Sequence, residues 1–245
     1  MKVLLSPAKN MKRPERAARV TKPDFLREAQ ALLERLRAYE SWQLEGLLKV
    51  SPKMAVEAYL NYQCMDLKGE GWPALLAYDG LVFRHLEAAR LSAADLEFAQ
   101  QSLRILSGMY GCLKPLDGIF PYRLEMQCRL AANGKRNLYE FWGDKLYRSV
   151  ADGEPVVNLA SEEYAKAVRK YLTSADRMTD VVFMSYYKGK YRVLAAWAKM
   201  ARGRMARYII ENRLQEPEGL KGFCWDGYRY SQDRSSRGKY IFVRE

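Results

Sequence analysis

The chain has 245 residues, with 41 lysines and arginines against 29 aspartates and glutamates, giving a formal net charge of +12. A hydrophobic content of 49% with 12% aromatics excludes a disordered tail protein, because that much apolar surface can offset the entropy of ordering. Four separated cysteines (Cys64, Cys112, Cys128, Cys224) and one histidine, His85, speak against a disulfide framework, a zinc site and a Ser-His-Asp hydrolase.

The first residues, Met1 to Pro7, read as a short apolar strand ending in a turn, too short for a signal segment. No apolar stretch approaches the length that spans a bilayer, so a cytoplasmic protein without a membrane partner is expected. Pro23-Asp24 opens an amphipathic helix carrying Phe25, Leu26, Ala29, Leu32, Leu33 and Leu36 at helical spacing. A second helix covers Ser41 to Lys49 and a third starts near Pro52. Another follows Ser92, with an acid in its first turn, and runs to about Arg104. Ser107 to Met126 is rich in glycine and proline and reads as a shaped loop.

A helix over Leu138–Val150 precedes a buried-type strand at Glu154–Ala160, after which Ser161 caps the next helix. Val181–Met184 and Tyr191–Leu194 read as strands around Lys188-Gly189-Lys190, and a helix spans about Ala196 to Arg213. The tail alternates, giving strands at Phe223–Trp225, Tyr228–Tyr230 and Tyr240–Val243. The expected class is α+β, mixed α and β in a single compact domain over 1–245, with an order too irregular for a doubly wound sheet.

Positive charge is clustered. Met1 to Pro23 holds seven lysines and arginines against Glu15 alone, and no acid lies between Asp180 and Glu211. Such clusters attract polyanions, of which nucleic acid is the commonest in a cytosol. On a helical wheel Trp197, Ala201, Met205, Tyr208 and Ile209 share one face, with Lys199, Arg202, Arg207 and Arg213 on the other. Gly203 among these cations either lets a phosphate backbone approach or packs against another element.

Residues 44–58 have the spacing of a helix-hairpin-helix element, in which the N–H groups opening the second helix hold a DNA phosphate. The usual motif has glycines where this chain has Lys49 and Ser51; Lys53 follows in the second helix. In the Ser107–Glu125 loop, Asp117 and Glu125 are either a carboxylate pair for acid–base work or ion-pair partners of Lys114 and Arg123. Tyr122 lies in the same loop. Asn158 stands where α/β folds place functional polar groups. Ser6 and Lys9 sit on the turn after the first strand, as a phosphate contact or a plain surface turn.

Several strings then identify a resemblance: Leu5-Ser6-Pro7-Ala8-Lys9, Leu106-Ser107-Gly108-Met109-Tyr110-Gly111, Arg123-Leu124-Glu125-Met126, Phe141-Trp142-Gly143-Asp144, Asn158 through Tyr164, Ala201-Arg202-Gly203 and Ile210-Glu211-Asn212-Arg213. In this order, and essentially end to end, they resemble the bacterial YaaA family of peroxide stress proteins. Asn10 and Met11 depart from a familiar Thr-Leu pair. The resemblance implies protection against hydrogen peroxide through lower free iron and less iron-driven DNA damage. It also implies a family-specific α/β fold with a positive cleft and a DNA-binding helix-hairpin-helix-like element. It carries over no catalytic residues.

Three readings follow. The first is a DNA-binding protein, expected as a monomer without cofactor or metal. It would grip duplex or branched DNA by shape through Lys9, Lys49, Ser51, Lys53, Lys199, Arg202, Gly203 and Arg207. The second is an enzyme on nucleic acid or a nucleotide using Lys114, Asp117, Tyr122, Arg123, Glu125 and Asn158 beside the same groove. The third is a regulator of intracellular iron acting through a protein partner. Storage of iron by the chain itself fits badly, since no imidazole or thiol cluster is available.

Overall fold

The structure is a computed structural model that describes residues 1–16 and 18–245. Its centre is an eight-stranded sheet of β1 (Lys2–Leu5), β2 (Leu103–Ser107), β3 (Gly111–Leu113), β4 (Val156–Asn158), β5 (Met178–Tyr187), β6 (Lys190–Arg192), β7 (Arg229–Tyr230) and β8 (Lys239–Arg244). Among the described residues the α-helices of six residues or more are α1 (Leu26–Arg37), α2 (Ser41–Leu48), α3 (Pro52–Cys64), α4 (Leu81–Leu86), α5 (Ala93–Ser102), α6 (Glu162–Arg169) and α7 (Ala195–Glu211).

The strand order is β7-β8-β5-β4-β1-β2-β3, with β6 paired to β5. β1 runs parallel to β2 and to β4, and β5 runs parallel to β4 and to β8. The mixed α/β expectation holds, but the expected irregular order does not. Five parallel strands stand in the order second, first, third, fourth, fifth, the arrangement of one doubly wound class. The regularity is hidden in the sequence because the first crossover, Ser6 to Ser102, contains five of the seven helices.

β2 falls where a helix end and a loop were expected. Leu103-Arg104-Ile105-Leu106-Ser107 follows α5 with no glycine or proline between them, so no local signal marks the change of period. The helix expected over 138–150 is two short ones, Leu138–Trp142 and Lys145–Arg148, separated at Gly143, whose φ is +52°. Phe223–Trp225 forms no strand beyond a single bridge from Trp225 to Tyr228.

The sheet is covered on both faces. Val181, Phe183 and Ser185 of β5 are buried on one side, where Phe183 meets Phe223 and Phe223 meets Tyr208 of α7. Asp180 points to the other side and takes two bonds from Arg169 of α6. Leu4, Leu5, Ile105, Val157 and Phe242 form the centre of the core, each fully buried.

Candidate functional site

In a parallel sheet, a crevice opens at the carboxyl ends of two neighbouring strands whose connections leave in opposite directions. Here that point lies between β1 and β4. Ser6 follows β1, and Leu159 to Ser161 follow β4. The Ser6 hydroxyl stitches the two ends together: it accepts from the Ser161 N–H at 2.8 Å and donates to the Ser161 hydroxyl at 3.1 Å.

A cavity of about 290 Å³ opens over this junction. Its walls come from the turn after β1 (Ser6–Asn10), the Asp79–Phe83 segment, Tyr122–Glu125, the start of α6 and the start of α7. A second hollow of about 230 Å³ lies beside α3, and Lys9, Asn10, Tyr122 and Arg123 line both.

Four cations line the cavity: Lys9, Arg123, Lys199 and Arg202. Lys9 and Arg123 are both committed to Glu125, at 3.0 and 3.3 Å. Lys199 and Arg202 have no carboxylate within ion-pair distance among the described residues. Arg202 is largely buried, its Nε has no hydrogen-bond partner, and burial presses its guanidinium below its usual value. Of the other acids in the wall, Asp79 is held by Arg84 through two bonds of 2.7 and 2.8 Å. Glu163 accepts from the Gln127 N–H; burial raises it above its ordinary value against that bond, with Glu125 adding to the rise.

Behind Tyr122 lies a chain of hydroxyls. Tyr122 is 2.6 Å from Tyr78 and 2.7 Å from Ser107, whose oxygen accepts from the N–H groups of Met109 and Tyr110. Burial pushes the Tyr122 phenol up to about 12 and also raises Tyr78 and Tyr164 above their ordinary value.

The structure sorts the residues singled out from sequence. Lys9, Tyr122, Arg123, Glu125, Lys199 and Arg202 meet at this cavity. Lys114 does not; it pairs with Asp24 at 3.0 Å. Asp117 is fully buried elsewhere, accepting from Thr21 and from the Lys114 N–H, and burial raises its pKa. It ties the loop to Thr21, which also forms an isolated bridge with it, rather than standing beside Glu125. Asn158 donates to Asp180 and accepts from the Ala160 N–H, which closes the end of β4. Gly203 is a packing residue: a Cβ there would collide with the Val82 carbonyl and come within 3.0 Å of His85. Arg207 is drawn inward to Glu87 and Glu211, and Arg213 to Asp95. The open basic face expected on α7 therefore reduces to Lys199 and Arg202.

Lys49, Ser51 and Lys53 lie exposed at the connection between α2 and α3, with Lys49 in the left-handed region at φ +53°. Ser51 precedes α3 without capping it by a side-chain bond. The sequence reading missed Tyr78 as a site residue and gave Glu163 and Tyr164 no role at the site. The signal for the last two is their place on the first turn after β4, beside the strand-order reversal.

Residues 1–234 match the family model described as peroxide stress protein YaaA. The chain belongs to the YaaA family of peroxide stress proteins. A UPF0246 protein of Ralstonia nicotianae is 43% identical over 256 residues, covering 100% of this chain and 99% of that protein. One from Lactiplantibacillus plantarum is 39% identical over 245 residues, covering 99% of each. In this YaaA-family chain, burial pushes the thiols of Cys112 and Cys128 up to about 11. Both are held as thiols at neutral pH, away from the thiolate form that reacts with oxidants. Cys64 and Cys224 are exposed. Among the described residues no group of three or more His, Cys, Asp or Glu stands close enough to hold a metal ion, and no helix is long and apolar enough to cross a membrane.

Proposed function

We propose that this YaaA-family chain is a DNA-binding protein of the peroxide response that grips the phosphate backbone by shape. The observation that carries the reading is the pair Lys199 and Arg202, two cations without acid partners in the wall of a cavity that adjoins the hollow beside α3. Lys49, Ser51 and Lys53 support it from the exposed connection between α2 and α3, where the residue spacing suggests a helix-hairpin-helix-like element. There the first N–H groups of α3 lack a side-chain cap and present donors at the positive end of the helix dipole. A net charge of +12 supplies long-range attraction.

Bound along DNA, such a protein would limit iron-driven damage by covering the strand. Regulation of iron through a protein partner is the competing reading. Fluorescence anisotropy on duplex, single-stranded and four-way-junction DNA across a salt series tests the proposal. Binding should exceed that of a nonspecific basic control and fall steeply with salt. Equal binding to the control would defeat it. Peroxide survival retained by a Lys49→Glu/Lys53→Glu/Lys199→Met strain would favour the protein partner.

A further inference from the structure

We infer that the cavity between the ends of β1 and β4 is a single-nucleotide site, in which Arg202 and Lys199 pair with phosphate and the Tyr122 hydroxyl donates a hydrogen bond to the ligand. The inference deepens the DNA reading by naming what enters the cavity, and it can fail without that reading failing.

That the Tyr122 proton is free follows from counting donors and acceptors. The Ser107 oxygen already accepts from two backbone N–H groups, at 3.2 and 2.9 Å. A hydroxyl has two lone pairs and one proton, so Ser107 is left to donate, and its neighbour is Tyr122 at 2.7 Å. Tyr78 is buried, and the hydroxyl it can donate to is again Tyr122, at 2.6 Å. A buried hydroxyl that failed to donate would incur a desolvation penalty. Tyr122, a residue of the cavity wall, is thus left with the one proton of the three hydroxyls that has no partner inside the cluster. The phenol keeps this proton through neutral pH, since burial pushes it up to about 12.

Charge fixes the class of ligand. Each acid in the wall is already engaged: Glu125 by Lys9 and Arg123, Asp79 by Arg84, and Glu163 by the Gln127 N–H. None of them pairs with Lys199 or Arg202, and the Arg202 Nε is without any partner. Two uncompensated cations in a recess suit a phosphate, which carries about one to two negative charges according to its esterification. The wall also carries apolar side chains, Phe83, Leu124 and Leu159, beside the polar Ser6, Asn10 and Ser161, and so offers both a surface and hydrogen-bonding groups for a base. A volume of about 290 Å³ lies at the small end of ligand pockets, roughly 300–1,000 Å³, so one nucleotide fits and a longer piece does not. That nucleotide is either free or extruded from a strand, at an unstacking cost smallest for an unpaired base.

Calorimetric titration with dAMP, dTMP and inorganic phosphate, and anisotropy on a paired duplex and on one with a single-nucleotide bulge, separate these sources. A gain for the mononucleotides over inorganic phosphate marks the free ligand; a gain for the bulge over the paired duplex marks the extruded one. Whichever gain appears should drop at least about tenfold in Tyr122→Phe and in Arg202→Met. Thermal unfolding confirms that both variants are folded. No gain in either arm, or a gain that Tyr122→Phe leaves intact, overturns the site. Duplex binding that persists alongside that result leaves the DNA reading standing. Mononucleotide binding without any duplex binding removes the DNA reading and keeps the site.

Discussion

Lys9 and Glu125 form an ion pair of 3.0 Å that joins the turn after β1 to the segment following Tyr122. Arg123 reaches the same carboxylate oxygen at 3.3 Å. One acid thereby holds two cations that the proposed DNA reading would otherwise leave free for phosphate. Glu125→Gln should release both and tighten duplex binding, roughly two- to tenfold for ion pairs of this exposure. Anisotropy at low salt reads the change. Weaker binding in the variant would mean that Glu125 itself holds the nucleic acid.

Arg202 carries a cost in the free protein. Its guanidinium is largely buried with Nε unpartnered, and an unsatisfied buried donor is worth about 1–3 kcal/mol. Arg202→Met keeps the volume and removes the charge. It should raise the Tm of the ligand-free protein by a few degrees, at roughly 2–4 °C per kcal/mol for a chain of this size. A lowered Tm would show that the guanidinium supports the fold.

Gly203 is set by helix packing. Alanine is the better helix former by about 1 kcal/mol, yet a Cβ at this position meets the Val82 carbonyl and the Leu86 nitrogen of α4. Backbone cannot rotate aside as a side chain can, so overpacking wins and Gly203→Ala should lose about 1–3 kcal/mol. Urea unfolding followed by circular dichroism measures this. Equal or greater stability would place α7 farther from α4 than described.

Asp180 supplies the acid-sensitive contact between α6 and β5. Burial opposes its ionisation, but bonds from Arg169 and Asn158 outweigh that and hold the carboxyl below its ordinary value. A depressed folded pKa contributes stability that is fully present above the unfolded carboxylate value, about 3.9, and is lost as pH falls through the folded one. Asp180→Asn should therefore lose about 1–3 kcal/mol at neutral pH. The gap to the wild type should close on acidification below about pH 4. Denaturant unfolding at pH 7 and pH 3 tests the sign, and a gap that widens in acid would refute it.

Much of this architecture is legible locally. The apolar spacing of Ala29, Leu32, Leu33 and Leu36 marks α1, and all four are buried. Val156-Val157-Asn158 reads as the interior strand it forms. β2 is not legible, because its pairing with β1 is set by residues about a hundred positions away and no turn residue separates it from α5. The site was half legible for the same reason. Charge and loop composition mark Lys9, Arg123, Glu125, Lys199 and Arg202, but spacing cannot say that Asp117 turns toward Thr21 or that Arg207 turns toward Glu87. Those choices depend on which elements become neighbours.

In the proposed DNA complex Lys199 and Arg202 are the phosphate contacts at the cavity. The direct measurement is the salt dependence of duplex binding by the wild type and by Lys199→Met/Arg202→Met. Each phosphate contact contributes about −0.9 to the slope of log K against log salt. The double variant should bind more weakly, with a slope shallower by nearly two contacts. An unchanged slope in a folded variant would contradict the account and move the DNA surface away from this cavity.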